Sequence, residues 1–310
     1  MSMEIVTDPA GMIVKEKTAV AIGKFDGIHI GHKKILSEIM KAGEKGFKKV
    51  IFTFEPSPEV FFGAPDCGTL MTRDEKREYL ESCGIDMLIE YPMNEETSAV
   101  EPELFIRKCL KEQLNMGFIA AGSDLSYGKG GKGDFNLLDS LKTELGYETV
   151  MVDKVRHGGF VVSSTTIRNA VAGGDMHTVE EMLGRPYSFS GTVTTGKQLG
   201  RTIGFPTANI DPLPGRVIPP YGAYFSDVEL SDGRVFRAVT NIGCKPTVKA
   251  DKKVNIESYL LDFSGDIYGE RITVMLREFR RPEQKFTDLY ELKDVLQADI
   301  AGRRLWHFHN

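Results

Sequence analysis

The chain has 310 residues, which at roughly 150 per domain predicts two domains. Hydrophobic residues at 41% and charged residues at 27% are enough for ordinary cores and exclude a disordered chain. With 39 Lys and Arg against 44 Asp and Glu the net charge is −5, which argues against nucleic acid as a partner but allows a nucleotide-sized ligand.

The first seventeen residues, MSMEIVTDPAGMIVKEK, carry Glu4 and Asp8 and lack the basic-then-apolar build of a signal peptide. No apolar run approaches the roughly 18 residues of a membrane span, and Cys67, Cys83, Cys109 and Cys244 show no C-x-x-C pair. The expectation is a cytoplasmic protein with no membrane and no nucleic-acid partner. Strand-like runs then appear at Thr18–Ile22, Lys49–Phe54, Asp86–Tyr91, Phe118–Ala121 and Thr149–Val152. Helical patterns lie between them. Ile35, Leu36, Ile39 and Met40 share one apolar face, Thr72 with Glu75 reads as a capping box, and Ser98 with Glu101 as another. Such alternation predicts an α/β domain with a parallel sheet. After Leu183 the pattern changes. Strands are expected at Tyr187–Thr194, Ala223–Leu230, Val235–Ile242, Ile256–Phe263 and Ile272–Phe279, with turns at Ser231-Asp232-Gly233 and Ser264-Gly265-Asp266 and a helix from Thr287 to about Arg303. That predicts an all-β second domain, a small antiparallel β-barrel closed by a C-terminal helix. The boundary is drawn near Gly184-Arg185-Pro186, giving domains 1–183 and 184–310.

The first strand runs into Gly23-Lys24-Phe25-Asp26-Gly27-Ile28-His29-Ile30-Gly31-His32, where a helix begins. A glycine-rich turn at a helix N-terminus offers backbone N–H groups and the positive end of the helix dipole, which suits phosphate. His29 and His32 can both turn toward the same anion. A metal on these two histidines would need a third ligand, and none is evident nearby. Farther on, Gly128-Lys129-Gly130-Gly131-Lys132-Gly133 satisfies G-x-G-x-x-G, but Ser123–Tyr127 separate it from the preceding strand. The segment reads as a basic loop over phosphates or a plain solvated loop, not as a dinucleotide fingerprint.

In the second half, Thr207 and Asn209 sit two apart on an extended segment and face one way. Their neutral oxygens suit Mg²⁺ shared with phosphates, while Gly200 and Gly204 allow close backbone approach. Alternation places Glu257 on the face of Tyr259, Leu261 and Phe263. A carboxylate on the apolar side of a strand is costly unless paired or functional, which makes Glu257 a candidate general base.

The G-x-F-D-G-x-H-x-G-H stretch resembles the signature of the HxGH nucleotidyltransferases, and Ser163-Ser164-Thr165-Thr166-Ile167-Arg168 resembles their second motif. Gly200-Arg201-Thr202-Ile203-Gly204-Phe205-Pro206-Thr207-Ala208-Asn209 resembles the riboflavin kinase motif. In this order the two are similar to the bacterial bifunctional riboflavin kinase/FAD synthetase family, from about residue 15 to about 300. The resemblance implies a Rossmann-like nucleotidyltransferase (FMN adenylyltransferase) domain followed by a riboflavin kinase barrel. Riboflavin and ATP would give FMN, and FMN and ATP would give FAD, with Mg²⁺ as cofactor and ATP as co-substrate. It assigns catalysis to His29, His32, Arg168 and Glu257, and nucleotide contacts to Gly23, Phe25, Asp26, Gly31, Asp124, Ser164, Thr165, Gly200 and Gly204. It assigns flavin contacts to Phe205, Pro206 and Arg281, and metal contacts to Thr207 and Asn209. Two other readings compete: a riboflavin kinase whose first domain is weak or differently specific, and a flavin- or nucleotide-sensing binding protein.

Overall fold

The structure is a computed structural model and describes residues 2–64, 67–196, 204–245 and 253–306. The chain divides into two compact units, Met1–Ser164 and Thr165–Asn310. No helix among the described residues is long and apolar enough to cross a membrane.

The first unit holds a six-stranded sheet of β1 (Glu4–Val6), β2 (Thr18–Ile22), β3 (Lys48–Glu55), β4 (Met87–Pro92), β5 (Met116–Gly122) and β6 (Glu148–Val152). The strands lie in the order β1-β4-β3-β2-β5-β6, and every neighbouring pair is parallel. Connecting helices are α1 (Ile30–Glu44), α2 (Pro58–Phe61), α3 (Arg73–Ser82), α4 (Glu95–Ser98), α5 (Pro102–Leu104), which continues as a π-helical stretch Phe105–Gln113, and α6 (Phe135–Leu145). Both sheet faces are covered. Ala19, Ala21, Ile51 and Leu88 pack with Ile35, Leu36 and Ile39 of α1 and Leu80 of α3. Val20, Ile22, Phe52 and Ile89 pack the other way, with Phe105, Ile106 and Leu138. Burial on both sides explains why β2 is apolar throughout instead of alternating.

The capping box at Thr72 and Glu75 is present, with both reciprocal hydrogen bonds. The expected box at Ser98 is not. Ser98 ends α4, which Asn94 and Thr97 cap, and the next helical turn starts at Pro102. Proline disfavours helix in the residue before it and is itself suited to the first helical position, so the chain breaks between the two turns.

The second unit opens with α7 (Ser164–Gly173), whose first residue still belongs to the first unit, and α8 (Met176–Leu183). The strands β9 (Tyr187–Thr192), β10 (Ala208–Ile210), β11 (Gly222–Glu229), β12 (Val235–Lys245), β13 (Lys253–Leu260) and β14 (Arg271–Pro282) follow a small hairpin, β7 (Arg156–His157) and β8 (Phe160–Val161), of the first unit. The second sheet runs β10-β13-β12-β11-β14-β9, antiparallel throughout. A bridge between Thr194 and Asn209 joins its two ends, so the barrel nearly closes. Its interior holds Tyr187, Phe189, Tyr224, Ile242, Ile256 and Val274. The last helix, α9 (Leu289–Leu305), covers Phe225, Val239 and Leu261 through Ile300, with Trp306 beyond its end. Helix α8 belongs with this unit by packing, since Arg277 of β14 bonds both Glu180 and Asp227.

Candidate functional site

The first sheet's strand order reverses at β2: successive strands add on one side as β3 and β4, then β5 is laid on the other. In open α/β sheets ligands bind outside the carboxyl ends of the strands at such a switch point. The segment leaving β2 is Gly23–His29, and the one leaving β5 is Ser123-Asp124. The chemistry-bearing turn therefore sits where the topology puts a crevice.

That turn is held from several sides. The Gly23 N–H donates to Phe52 O of β3, and the Thr53 hydroxyl to Lys24 O. Asp26 Oδ1 accepts the Leu70 N–H at 2.9 Å, and the Ser164 hydroxyl donates to Asp26 O at 3.0 Å. Asp26 thus joins the β2 turn to the start of α7. Phe25 and Ile28 have positive φ (51° and 38°) and are fully buried, so their side chains fix the turn from inside. His29 caps α1: its Nδ1 accepts the His32 backbone N–H at 3.2 Å. The two imidazoles stack at 3.7 Å between centroids, with Phe25 5.1 Å from His32. Gly31 leaves room for this stack, since a Cβ there would come to 3.1 Å from the His29 ring and make it shift.

Burial, His29 and Lys76 push the His32 pKa well below its ordinary value of 6.5, and its Nδ1 is buried without a hydrogen-bond partner. The ring is therefore neutral at physiological pH, a hydrogen-bonding group and not a fixed cation. Lys76 of α3, which sequence reasoning missed, donates to Lys24 O at 3.4 Å, and burial lowers its pKa. Nothing local to Lys76 marks it; packing of α3 brings it in. Within reach of its charge, Glu90 of β4 is buried and bonded by Arg73 and Arg77, which hold its carboxyl at about 2.

Asp124 follows β5 and pairs with Lys154 at 3.1 Å on the exposed rim. Ser164 begins α7, and Thr165 and Arg168 follow on that helix. Ser164 is tied to the His29 turn through Asp26, whereas Thr165 and Arg168 fall in the second unit. The glycine-rich segment after Tyr127 is a closed loop: Tyr127 pairs with Gly133, and Lys129 bonds Glu101 at 3.0 Å. It is no dinucleotide turn.

In the barrel, β10 places Asn209 opposite Glu257 of β13, and β12 places Asn241 opposite Glu257 on its other side. Asn209 is 4% exposed. Its Nδ2 lies 3.3 Å from Thr207 O and 3.4 Å from Thr207 Oγ1. Asn255 Nδ2 donates to Glu257 Oε1 at 2.6 Å. Phe205 meets the Tyr259 ring at 5.4 Å, so Phe205, Pro206 and the Glu257 face adjoin. Gly204 has φ +89°, a conformation glycine supplies readily. Gly200 lies outside the described residues.

One expectation changes here. The fully buried side of β13 is Ile256, Ser258 and Leu260, whereas Glu257 and Tyr259 are half-buried on the other side. The strand stops at Leu260 and Asp262 takes φ +57°, so Leu261 and Phe263 do not continue its alternation. Arg281 is engaged by Asp299 of α9 at 2.8 Å, which ties the end of β14 to the helix. Among the described residues no group of three or more His, Cys, Asp or Glu could hold a metal. What the barrel offers is the Thr207 hydroxyl, the Asn209 amide and the facing Glu257 carboxylate, an all-oxygen set that fits a hard cation sharing phosphate ligands.

A family model described as FAD synthetase matches residues 12–166, and one described as riboflavin kinase matches residues 183–306. A bifunctional riboflavin kinase/FMN adenylyltransferase of Escherichia coli K12 is 37% identical over 292 residues, covering 94% of this chain and 93% of that protein. Its namesake in Bacillus subtilis 168 is 35% identical over 302 residues, covering 95% and 94%. A crystal structure described as a macrolide-efflux protein from Streptococcus pneumoniae superposes with TM-score 0.88 and 28% identity, covering 99% of this chain and 100% of the other.

Proposed function

This chain belongs to the bifunctional riboflavin kinase/FMN adenylyltransferase family, and from that membership we propose that it phosphorylates riboflavin to FMN and adenylylates FMN to FAD, using ATP for both. The observation that carries the reading is the facing of buried Asn209 and half-buried Glu257 across β10 and β13, joined in one chain to a histidine pair at a sheet switch point. We assign adenylylation to residues 1–183 and the kinase to residues 184–310, and the work to the cytoplasm.

In the first reaction the FMN phosphate oxygen attacks the α-phosphorus of ATP. A P–O bond to FMN forms, the bond to the β-phosphate oxygen breaks, and pyrophosphate leaves. The nucleophile is already ionised, so alignment and charge stabilisation are what the protein supplies. His29 and His32 donate to the phosphates from the N-terminus of α1, and Arg168 adds a fixed positive charge. Because His32 is neutral, its part is a directed N–H and not a fixed charge. Gly23, Phe25, Asp26 and Gly31 shape the nucleotide side of the turn, while Asp124, Ser164 and Thr165 lend side-chain contacts.

In the second reaction the ribityl hydroxyl of riboflavin attacks the γ-phosphorus of ATP and ADP leaves. Glu257 takes the hydroxyl proton. Thr207 and Asn209 would hold Mg²⁺, which when bound draws charge from the transferring phosphate. Gly204 leaves room for the phosphates, and Phe205 and Pro206 bear on the flavin. Arg281, which also pairs with Asp299 of α9, is the candidate flavin contact at the end of β14.

The test is direct: incubate the pure protein with riboflavin, ATP and Mg²⁺ and separate the flavins by chromatography. FMN appearing first and FAD following supports the proposal. FMN without FAD would leave a kinase with an idle first module, and bound riboflavin without FMN would leave a binding protein.

A further inference from the structure

Asn255 stands out in the barrel site although no motif contains it. It lies two residues before Glu257 on β13, hence on the same face. It is 4% exposed. Its side-chain nitrogen donates to Glu257 Oε1 at 2.6 Å and lies 3.4 Å from Asn209 Oδ1. An amide nitrogen carries two hydrogens and accepts nothing, so one amide can serve both oxygens. Asn209 meanwhile turns its own nitrogen toward Thr207. The contacts form one directional chain, Thr207–Asn209–Asn255–Glu257, in which each amide's orientation follows from the next.

The room for this chain is limited. Gly243 pairs opposite Asn255 on β12, and a Cβ there would meet Glu283 Oε1 at 2.7 Å and Asn241 Nδ2 at 3.3 Å. Polar groups already fill the space beside Asn255. A buried amide in such a place is costly unless its hydrogens are used, and here they are used on the candidate base and a candidate metal ligand.

We propose that Asn255 is a positioning residue of the kinase reaction: its amide aims the Glu257 carboxylate at the ribityl hydroxyl while holding Asn209 Oδ1 in place. The inference rests on reading Glu257 as the general base. With Oε1 committed to Asn255, the carboxylate cannot swing, and its second oxygen is the one that receives the proton. Removing the amide leaves the base present but unaimed, which lowers turnover more than flavin binding.

The experiment is a double-mutant cycle on the full chain, with kinase kcat at saturating Mg²⁺, riboflavin KM and riboflavin affinity by fluorescence quenching. Asn255→Leu keeps the volume and removes both donors. Its expected effects are a kcat lower by about 10- to 100-fold, a riboflavin KM within about threefold, and a raised Mg²⁺ requirement. In a Glu257→Gln background the same substitution is expected to cost less than about twofold in kcat, because there is no base left to aim. A single-variant kcat within twofold of wild type would overturn the proposal. So would an equal loss in both backgrounds, which marks a structural role. If Glu257→Gln itself runs near the wild-type rate, the base reading fails first and takes this inference with it. Should Asn255→Leu bind no riboflavin, Asn255→Ser, which is smaller and keeps one donor, carries the same cycle, and additivity there refutes the proposal equally.

Discussion

Replacing His29 probes two separate duties of one side chain. Its Nδ1 accepts the His32 N–H at 3.2 Å and caps α1, while its ring stacks on His32 at 3.7 Å and faces the phosphate turn. Loss of an N-cap acceptor costs about 1 kcal/mol of stability. Loss of a preorganised donor to developing charge costs about 10²- to 10³-fold in rate, or about 2.7–4 kcal/mol in the barrier. His29→Ala removes both, whereas His29→Asn restores a capping oxygen without the ring. Both variants are therefore expected to lose FAD synthesis from FMN by about 10²- to 10³-fold, and only the alanine variant to unfold at measurably lower urea. FMN formation from riboflavin should stay within a few-fold of wild type in each. Three numbers on one preparation decide it: FAD rate, FMN rate and urea midpoint. An asparagine variant that keeps its FAD rate would show that the cap, not the imidazole, is what matters. A folded variant that loses both activities together would refute the assignment of the reactions to separate sites.

Glu257→Gln should lower the kinase rate by about 10²- to 10⁴-fold with riboflavin affinity little changed. Asn255 would hold the new amide by its oxygen and turn its N–H₂ toward the substrate, and a loss of affinity matching the loss of rate would make Glu257 a binding residue. Asn209→Ala should raise the Mg²⁺ or ATP requirement of the kinase, with partial rescue by excess metal; unchanged metal dependence at a normal rate would exclude a ligand role. Glu90, held near 2 by Arg73 and Arg77 against 4.5 when unfolded, contributes stability that is complete above about pH 4.5 and lost as pH falls toward 2. Glu90→Gln should accordingly cost about 3 kcal/mol at pH 7 and flatten that acid limb in denaturation followed by circular dichroism. A loss under about 0.5 kcal/mol would show that the arginine pair does not stabilise the unit.

Features carried by a few consecutive residues were legible in the sequence. Thr18–Ile22 is a strand with the expected ends, and the turn after it does open a helix at which His29 and His32 meet. The Thr72–Glu75 box was legible because both partners lie within one turn. The same pattern at Ser98 and Glu101 misled because Pro102 outweighs it. The three-residue β1 and two-residue β7 and β8 are too short to impose a pattern, and β1 exists because β4 offers an open parallel edge.

The barrel site shows where legibility stops. Asn209 and Glu257 could be named separately, one from its motif and one from a carboxylate in a strand-like run, but nothing local says that the two face each other. That follows from β10 pairing with β13 in one register, since a slip of one residue would turn Glu257 to the side of Ile256 and Ser258. The register has its own anchor on the opposite face, where the hydroxyls of Ser226, Thr240 and Ser258 bond in a row across β11, β12 and β13. These polar residues are buried and lie away from Glu257, yet each bond is satisfied only when the three strands align as observed. A slip of β13 would therefore strand buried hydroxyls on one face and part Glu257 from the residues opposite it on the other. The alignment that keeps the core satisfied is the same one that assembles the candidate site, which is why neither could be read from a single strand.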